Sequence, residues 1–228
     1  MADPPKRREI FSMLSYLFIN PFSFFIRFVA LLTAISIHEA SHAWIANRLG
    51  DPTARLAGRI TLNPLSHLDP LGTLMLLLIG FGWGKPVPFD PYNLRHPRRD
   101  SALISLSGPA SNLILAIIIS LLWRLISHFS PLSYSTLTLV LNPFIQLNIA
   151  LGIFNLIPLH PLDGGKILIG LLPQEKAYNV EEFLNRYSLI IFILLLLPFF
   201  QGYSLLSLII SPLISGFQIL LIPMSNSV

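Results

Sequence analysis

Hydrophobic residues run through this chain in long stretches that charge rarely interrupts. Ala102 to Trp123 and Phe129 to Leu162 contain no Asp, Glu, Lys or Arg, and none follows Arg186. A spanning helix needs about 20 apolar residues, so each of the first two runs holds one, and the last holds two short ones or one long broken one. An earlier segment runs from about Phe22 to Leu49, with Arg27 near its start and Gly50 placed to stop it as a C-cap. The pattern then changes. Arg55 to Pro64, with β-branched residues and an Asn-Pro break, reads as a short strand and a turn. The apolar piece Leu71 to Trp83 is short for a full span, contains glycines and is flanked by basic residues on both sides, which favours re-entry over crossing. Lys85 to Phe89 is expected to be extended, because each proline pushes its predecessor out of the α region.

Next the pattern predicts a helix over about 101–127, a break around Ser130-Pro131, and a second helix from about Ser133 that leads on to Asp163, with Pro143 inside it. The short connection makes these two an antiparallel pair. A shorter helix follows Gly164 to about Leu172. A polar loop with Glu175, Lys176, Glu181 and Glu182 then precedes C-terminal segments over about 186–223, divided near Gln201-Gly202. The expected fold is an all-α polytopic membrane bundle of about six transmembrane or re-entrant segments, with a small membrane-associated β element over part of 51–100. It is read as one domain, 1–228.

Composition supports that class. The chain is 53% hydrophobic and 11% charged, against about 25% charged in soluble domains. In 228 residues a bundle of this size leaves no room for an appended soluble module, and no internal repeat is evident. The net charge of +4 comes from residues beside apolar segments, which points to anionic lipid and not to nucleic acid. Lys6, Arg7 and Arg8 resemble a signal-peptide n-region, but no good cleavage site follows, so the segment is read as retained. Basic loops put the end of the first segment on the cytoplasmic side. The N-terminal cluster argues for inside too, and a stretch over Ile10 to Asn20 would have to reconcile the two.

The chemistry sits where charge is scarcest. His38-Glu39-Ala40-Ser41-His42 spells H-E-x-x-H. Histidines four apart share one helical face and can reach one metal, and the adjacent Glu39 can touch a water on that metal. The chain has no cysteine, so every ligand must be His, Asp or Glu. Catalytic zinc usually takes three protein ligands plus water. The third donor is open among His67, His96, His128, His160 and the carboxylates, of which Asp163 stands out because it follows a long apolar segment, where an ionisable group is costly unless paired or metal-bound. The motif alone also suits a membrane metal transporter or a metal-binding regulatory protein.

Taken together, His38-Glu39-Ala40-Ser41-His42, then Gly108-Pro109-Ala110-Ser111-Asn112, then Asn155 with Pro158 leading to Asp163-Gly164, resemble the site-2 protease family of intramembrane zinc metalloproteases, in the family's order. The resemblance implies that His38, His42 and Asp163 bind one zinc ion and that Glu39 is the general base. It further implies a transmembrane protein or peptide substrate, cut within the bilayer and already trimmed. It suggests a multi-pass protein of a bacterial or archaeal cell membrane, with its site towards the cytoplasm. Asn155 and Asn112 are candidates to donate to the substrate backbone or the oxyanion. An edge over Gly58 to Leu62 could receive an extended substrate by strand addition. His160, where the family commonly has an apolar residue or proline, reads as a surface-facing loop histidine, and His67 with Asp69 as a turn or cap.

Overall fold

A computed structural model describes residues 17–79, 82–129, 134–198 and 202–223. The N-terminal basic cluster, most of Ile10 to Asn20 and the break at Ser130-Pro131 lie outside the described residues. Helix α1 spans Pro21–Arg48; the Asn20 side chain accepts from the Ser23 N–H at 3.0 Å and Pro21 needs no partner at the first position. Gly50 follows at φ 110°, a left-handed conformation that glycine tolerates. One helical turn, α2 (Thr53–Leu56), leads through irregular chain to α3 (Pro70–Ile79). Then come α4 (Pro97–Phe129), α5 (Tyr134–Asn155), α6 (Asp163–Leu171), α7 (Gln174–Leu196) and α8 (Leu205–Leu221).

Among the described residues three helices are long and apolar enough to cross a membrane: α1, α4 and the part of α5 over Thr136–Asn155. Helix α4 is the centre of the bundle and packs on α1, α5 and α6. Ala30, Ala34, Ala43 and Ala46 of α1 are fully buried, so backbones approach closely, as spanning helices do when dispersion and not hydrophobic exclusion drives their packing. Trp123, Ile145 and Ile149 fill the α4–α5 contact. Leu189, Ile190, Ile209, Ile219 and Leu220 of α7 and α8 point outwards, an apolar surface suited to lipid.

Two expectations are corrected. Among the described residues there is no sheet, only an isolated antiparallel bridge between Leu68 and Gly84. The stretch read as a strand is a helical turn at Thr53–Leu56, a left-handed Gly58 (φ 67°) and a 3-10 turn at Pro64–Ser66 capped by the Asn63 side chain. Local side-chain bonds satisfy this backbone where no second strand is available. The polar stretch Glu175 to Glu182 is the first half of α7, because it shares a buried stripe with Leu184, Ser188 and Phe192 at four-residue spacing.

The loops are stitched by buried polar groups. Asp51 accepts from the Thr53 N–H (3.1 Å) and hydroxyl (2.5 Å), the Asn93 amide (2.9 Å) and the Asp90 N–H (2.7 Å), which ties the end of α1 to the approach to α4. Arg59 donates to the Lys85 carbonyl, and the Lys85 N–H donates to the His67 carbonyl at 2.8 Å. His67 is fully buried and donates from Nε2 to the Thr61 carbonyl at 2.8 Å, while Asp69 accepts from the Gly72 N–H at the start of α3.

Asp51 lies outside the spanning helices. Burial opposes its ionisation, but the donors from Thr53, Asn93 and Asp90 outweigh it and hold the carboxyl below its ordinary value. Because the folded value is the lower one, ionised Asp51 adds stability above the unfolded value of about 3.9, and that stability is lost as pH falls through the folded value. Thermal unfolding in detergent is expected to show an acid-side loss that Asp51→Asn flattens. At neutral pH, Asp51→Ala is expected to cost about 1–3 kcal/mol from donors left unpaired. An acid profile unchanged in Asp51→Asn would remove Asp51 from this role.

Candidate metal centre

His38 and His42 lie on the face of α1 that meets α4, and both are buried. Their rings meet edge to face, with centroids 4.6 Å apart. Each ring is oriented from its far nitrogen. His38 Nδ1 is 2.7 Å from Asn112 Oδ1 on α4, and His42 Nδ1 is 2.7 Å from the carbonyl of Ile104, also on α4. A carbonyl only accepts, so His42 Nδ1 carries the proton. The Asn112 amide is oriented by the same logic: its NH2 donates to the Ala34 carbonyl (3.0 Å) and to Asn148 Oδ1 (2.8 Å), and the Asn148 NH2 donates to the Phe144 carbonyl (2.8 Å). The Asn112 oxygen is therefore left to accept from His38 Nδ1. Both Nε2 atoms turn lone pairs into the bundle.

The third group meets them there. Asp163 is the first residue of α6, and its Oδ2 lies 3.1 Å from His38 Nε2 and 3.2 Å from His42 Nε2. Oδ2 is buried and receives no hydrogen bond. Two imidazole nitrogens and a carboxylate oxygen thus converge in a buried site, an arrangement that a cation between them would stabilise. The three side chains offer one ligand atom each, all within 4.8 Å of one another. Two nitrogens and one carboxylate oxygen fit zinc and leave a fourth tetrahedral position.

Glycines make the approach possible. A Cβ on Gly108 would lie 2.4 Å from His42 Nε2 and 2.7 Å from His38 Cε1, so α4 can pass the rings only without a side chain there. A Cβ on Gly164 would lie 2.2 Å from the Ile157 carbonyl oxygen, so the turn into α6 closes tightly and delivers Asp163. Beside the cluster runs the Lys85 to Phe89 stretch, which is largely free of regular structure. Gly84, next to it, comes within 3.7 Å of Glu39 Oε1, measured from where a Cβ would stand.

The other sequence candidates are placed as follows. Asn112 is fully buried and its NH2 is spent on Ala34 and Asn148, so it has no free donor for a substrate; it orients His38 instead. Asn155 ends α5, donates once to the Leu151 carbonyl at 3.0 Å and is half-buried. His160 is half-buried rather than surface-facing. Its N–H donates to Ser188 Oγ at 3.1 Å and its ring packs on Gly165, outside the cluster. Asn148 and Lys166 are additions. Asn148 had a readable signal, an amide inside an apolar run, and Lys166 another, a charge one helical turn beyond Asp163.

The profile of Peptidase family M50 matches residues 124–198, a stretch that includes Asp163. The chain is 38% identical over 181 residues to YwhC of Bacillus subtilis, provisionally named a zinc metalloprotease, covering 78% of this chain and 82% of that protein. It is 30% identical over 173 residues to Rip2 of Mycolicibacterium smegmatis, named in the same provisional way, covering 73% of this chain and 65% of that one. The zinc metalloprotease MJ0392 of Methanocaldococcus jannaschii is 25% identical over 151 residues, 66% of this chain and 35% of that one. No solved structure matches the chain.

Removing the group behind a ligating histidine typically weakens metal binding about 10–100-fold. Asn112→Ala is expected to show that loss in a chelator competition for zinc. Gly108→Ala is expected to abolish binding while the helical circular dichroism is kept. Wild-type zinc affinity in Gly108→Ala would contradict the close passage of α4 over the two rings.

Proposed function

The chain belongs to Peptidase family M50, the site-2 protease family of zinc metalloproteases, and from that premise we propose that it cuts peptide bonds within the transmembrane segments of membrane-anchored substrates. The observation that carries this reading is the convergence of His38 Nε2, His42 Nε2 and Asp163 Oδ2 where α1, a helix long and apolar enough to span, meets the start of α6, with Glu39 next to His38 in the chain. His38, His42 and Asp163 would hold the zinc ion. Zinc at such a site supplies Lewis acidity, lowering the pKa of a water and polarising a carbonyl.

The protein's own residues then divide the work. Glu39 takes a proton as a water oxygen bonds to the scissile carbonyl carbon, and returns it to the leaving nitrogen as the C–N bond breaks. Asn112 and Ile104 keep the two rings in the tautomer that presents Nε2. Asn155, at the end of α5, would donate its second amide N–H to the substrate backbone. A substrate helix must unwind before its carbonyls are accessible, because each is already hydrogen-bonded, so helix-weakening residues in the substrate favour cutting. Helix α3 has ten residues, about 15 Å of length, and Leu68 before it pairs with Gly84 after it. That geometry supports a re-entrant hairpin that leaves and returns on one side. Arg55, Arg59, Lys85 and Arg95 lie between α1 and α4, and Arg98 and Arg99 in the first turn of α4, all after the metal end of α1, which supports a cytoplasmic orientation for that end.

Cleavage of a model single-span substrate by purified protein in detergent tests the reading, with zinc quantified alongside. Glu39→Gln is expected to keep zinc and lose about 10²–10⁴-fold in rate; Asp163→Ala is expected to lose both. Full cleavage by Glu39→Gln would exclude it as the proton carrier, and zinc-loaded wild type that cuts no span would overturn the proteolytic reading.

A further inference from the structure

Lys166 carries the one charge on α6 besides Asp163, one turn further along the same face. It is half-buried, and among the described residues it makes no ion pair. Its Nζ sits 4.6 Å from the centroid of the Phe89 ring, and Phe89 is anchored against the cluster formed by Ala46, Leu94 and Ile104. The ammonium is thus held where the Lys85 to Phe89 wall meets the start of α6. A cation–π contact stabilises it only slightly against the cost of withdrawing an ammonium from water. The carboxylates whose charge it feels are Asp163 and Glu39, and both have other work.

Charge counting shows what is missing. A divalent cation balances Glu39 and Asp163, so the loaded site with Lys166 carries one net positive charge. Peptide hydrolysis supplies the matching negative charge, because water adds across the C–N bond to leave a carboxylate on the N-terminal fragment, while the C-terminal fragment departs with its new amine protonated. We infer that Lys166, steadied by Phe89, is a carboxylate subsite that holds the new C-terminus of the cleaved fragment beside the metal centre. This rests on the proteolytic reading.

Binding in detergent, rather than turnover, tests it. The Glu39→Gln protein, zinc-loaded and unable to cut, is titrated with an apolar peptide ending in a carboxylate and with the same peptide ending in an amide. The carboxylate is expected to bind about tenfold or more tightly than the amide. Adding Lys166→Met should erase that preference, while adding Lys166→Arg should keep it. Zinc content is measured throughout. Equal preference with and without Lys166→Met overturns the subsite. So does a Lys166→Met protein that loses zinc and both peptides alike, since that marks a structural clasp on Phe89. Either result, with spans still cut by wild type, leaves the proteolytic reading standing; absence of cleavage by wild type removes both.

Discussion

Two hydrogen bonds, His38 Nδ1 to Asn112 and His42 Nδ1 to the Ile104 carbonyl, decide what this bundle can do. They fix the protons on the outer nitrogens and leave the inner ones as lone pairs, so α4 sets the chemistry of residues carried by α1. That imposes a register on the helix pair. Asn112 must face Ala34 and His38 together, and Ile104 must stand opposite His42, one to two turns away on each helix. Pro109 sits between the two bonding positions. It deprives the Ser105 carbonyl of its ladder donor, which loosens the turn beside Ile104 while the rest of α4 stays regular. Asn148 extends the same control to α5, so three spanning helices agree on the orientation of one imidazole.

The carboxylate is placed by a different device. Helix α6 is only nine residues long and is fixed at both ends by missing side chains: Gly164 against the Leu156 and Ile157 carbonyls, and Gly170 against Ala102 of α4, where a Cβ would lie 2.2 Å from the alanine methyl. A short helix pinned twice has little freedom to rock. Asp163 Oδ2 can then be held among two lone pairs without a hydrogen bond of its own. The loops use the opposite strategy, with Asp51 gathering four donors and Arg59 reaching the Lys85 carbonyl to order the chain between α1 and α4.

Much of this is legible from residue pattern alone. The long charge-free runs mark α4 and α5, and the two histidines at helical spacing with Asp163 after an apolar run are the groups the fold brings together. What sequence reading misses has physical causes. The 55–64 stretch has strand-like composition, but strand formation needs a partner, and Asp51, Gly58 and Asn63 offer the backbone cheaper local bonds. Glu175 to Glu182 looks like a loop by charge, yet its residues are good helix formers continuing the Leu184 stripe. The role of Asn112 is hidden because a buried amide has the same composition signal whether it faces a substrate or a histidine; only the Ala34 and Asn148 contacts distinguish the two.

The apolar setting explains why so few polar residues are needed and why each is so constrained. In a low dielectric, an acceptor without a donor costs far more than at a surface, so three potential ligand atoms within 4.8 Å of one another would favour a cation among them. Metal loading and bundle stability are therefore linked, and the residues that orient the ligands also set how much strain the metal-free protein carries. The nearby ring and amide donors are turned away from those three atoms: the Nδ1 protons point outwards to α4 and the Asn112 amide to Ala34 and Asn148. A histidine free to flip would satisfy itself and give up the metal. Anchoring both rings from behind removes that escape and keeps His38, His42 and Asp163 turned towards one point.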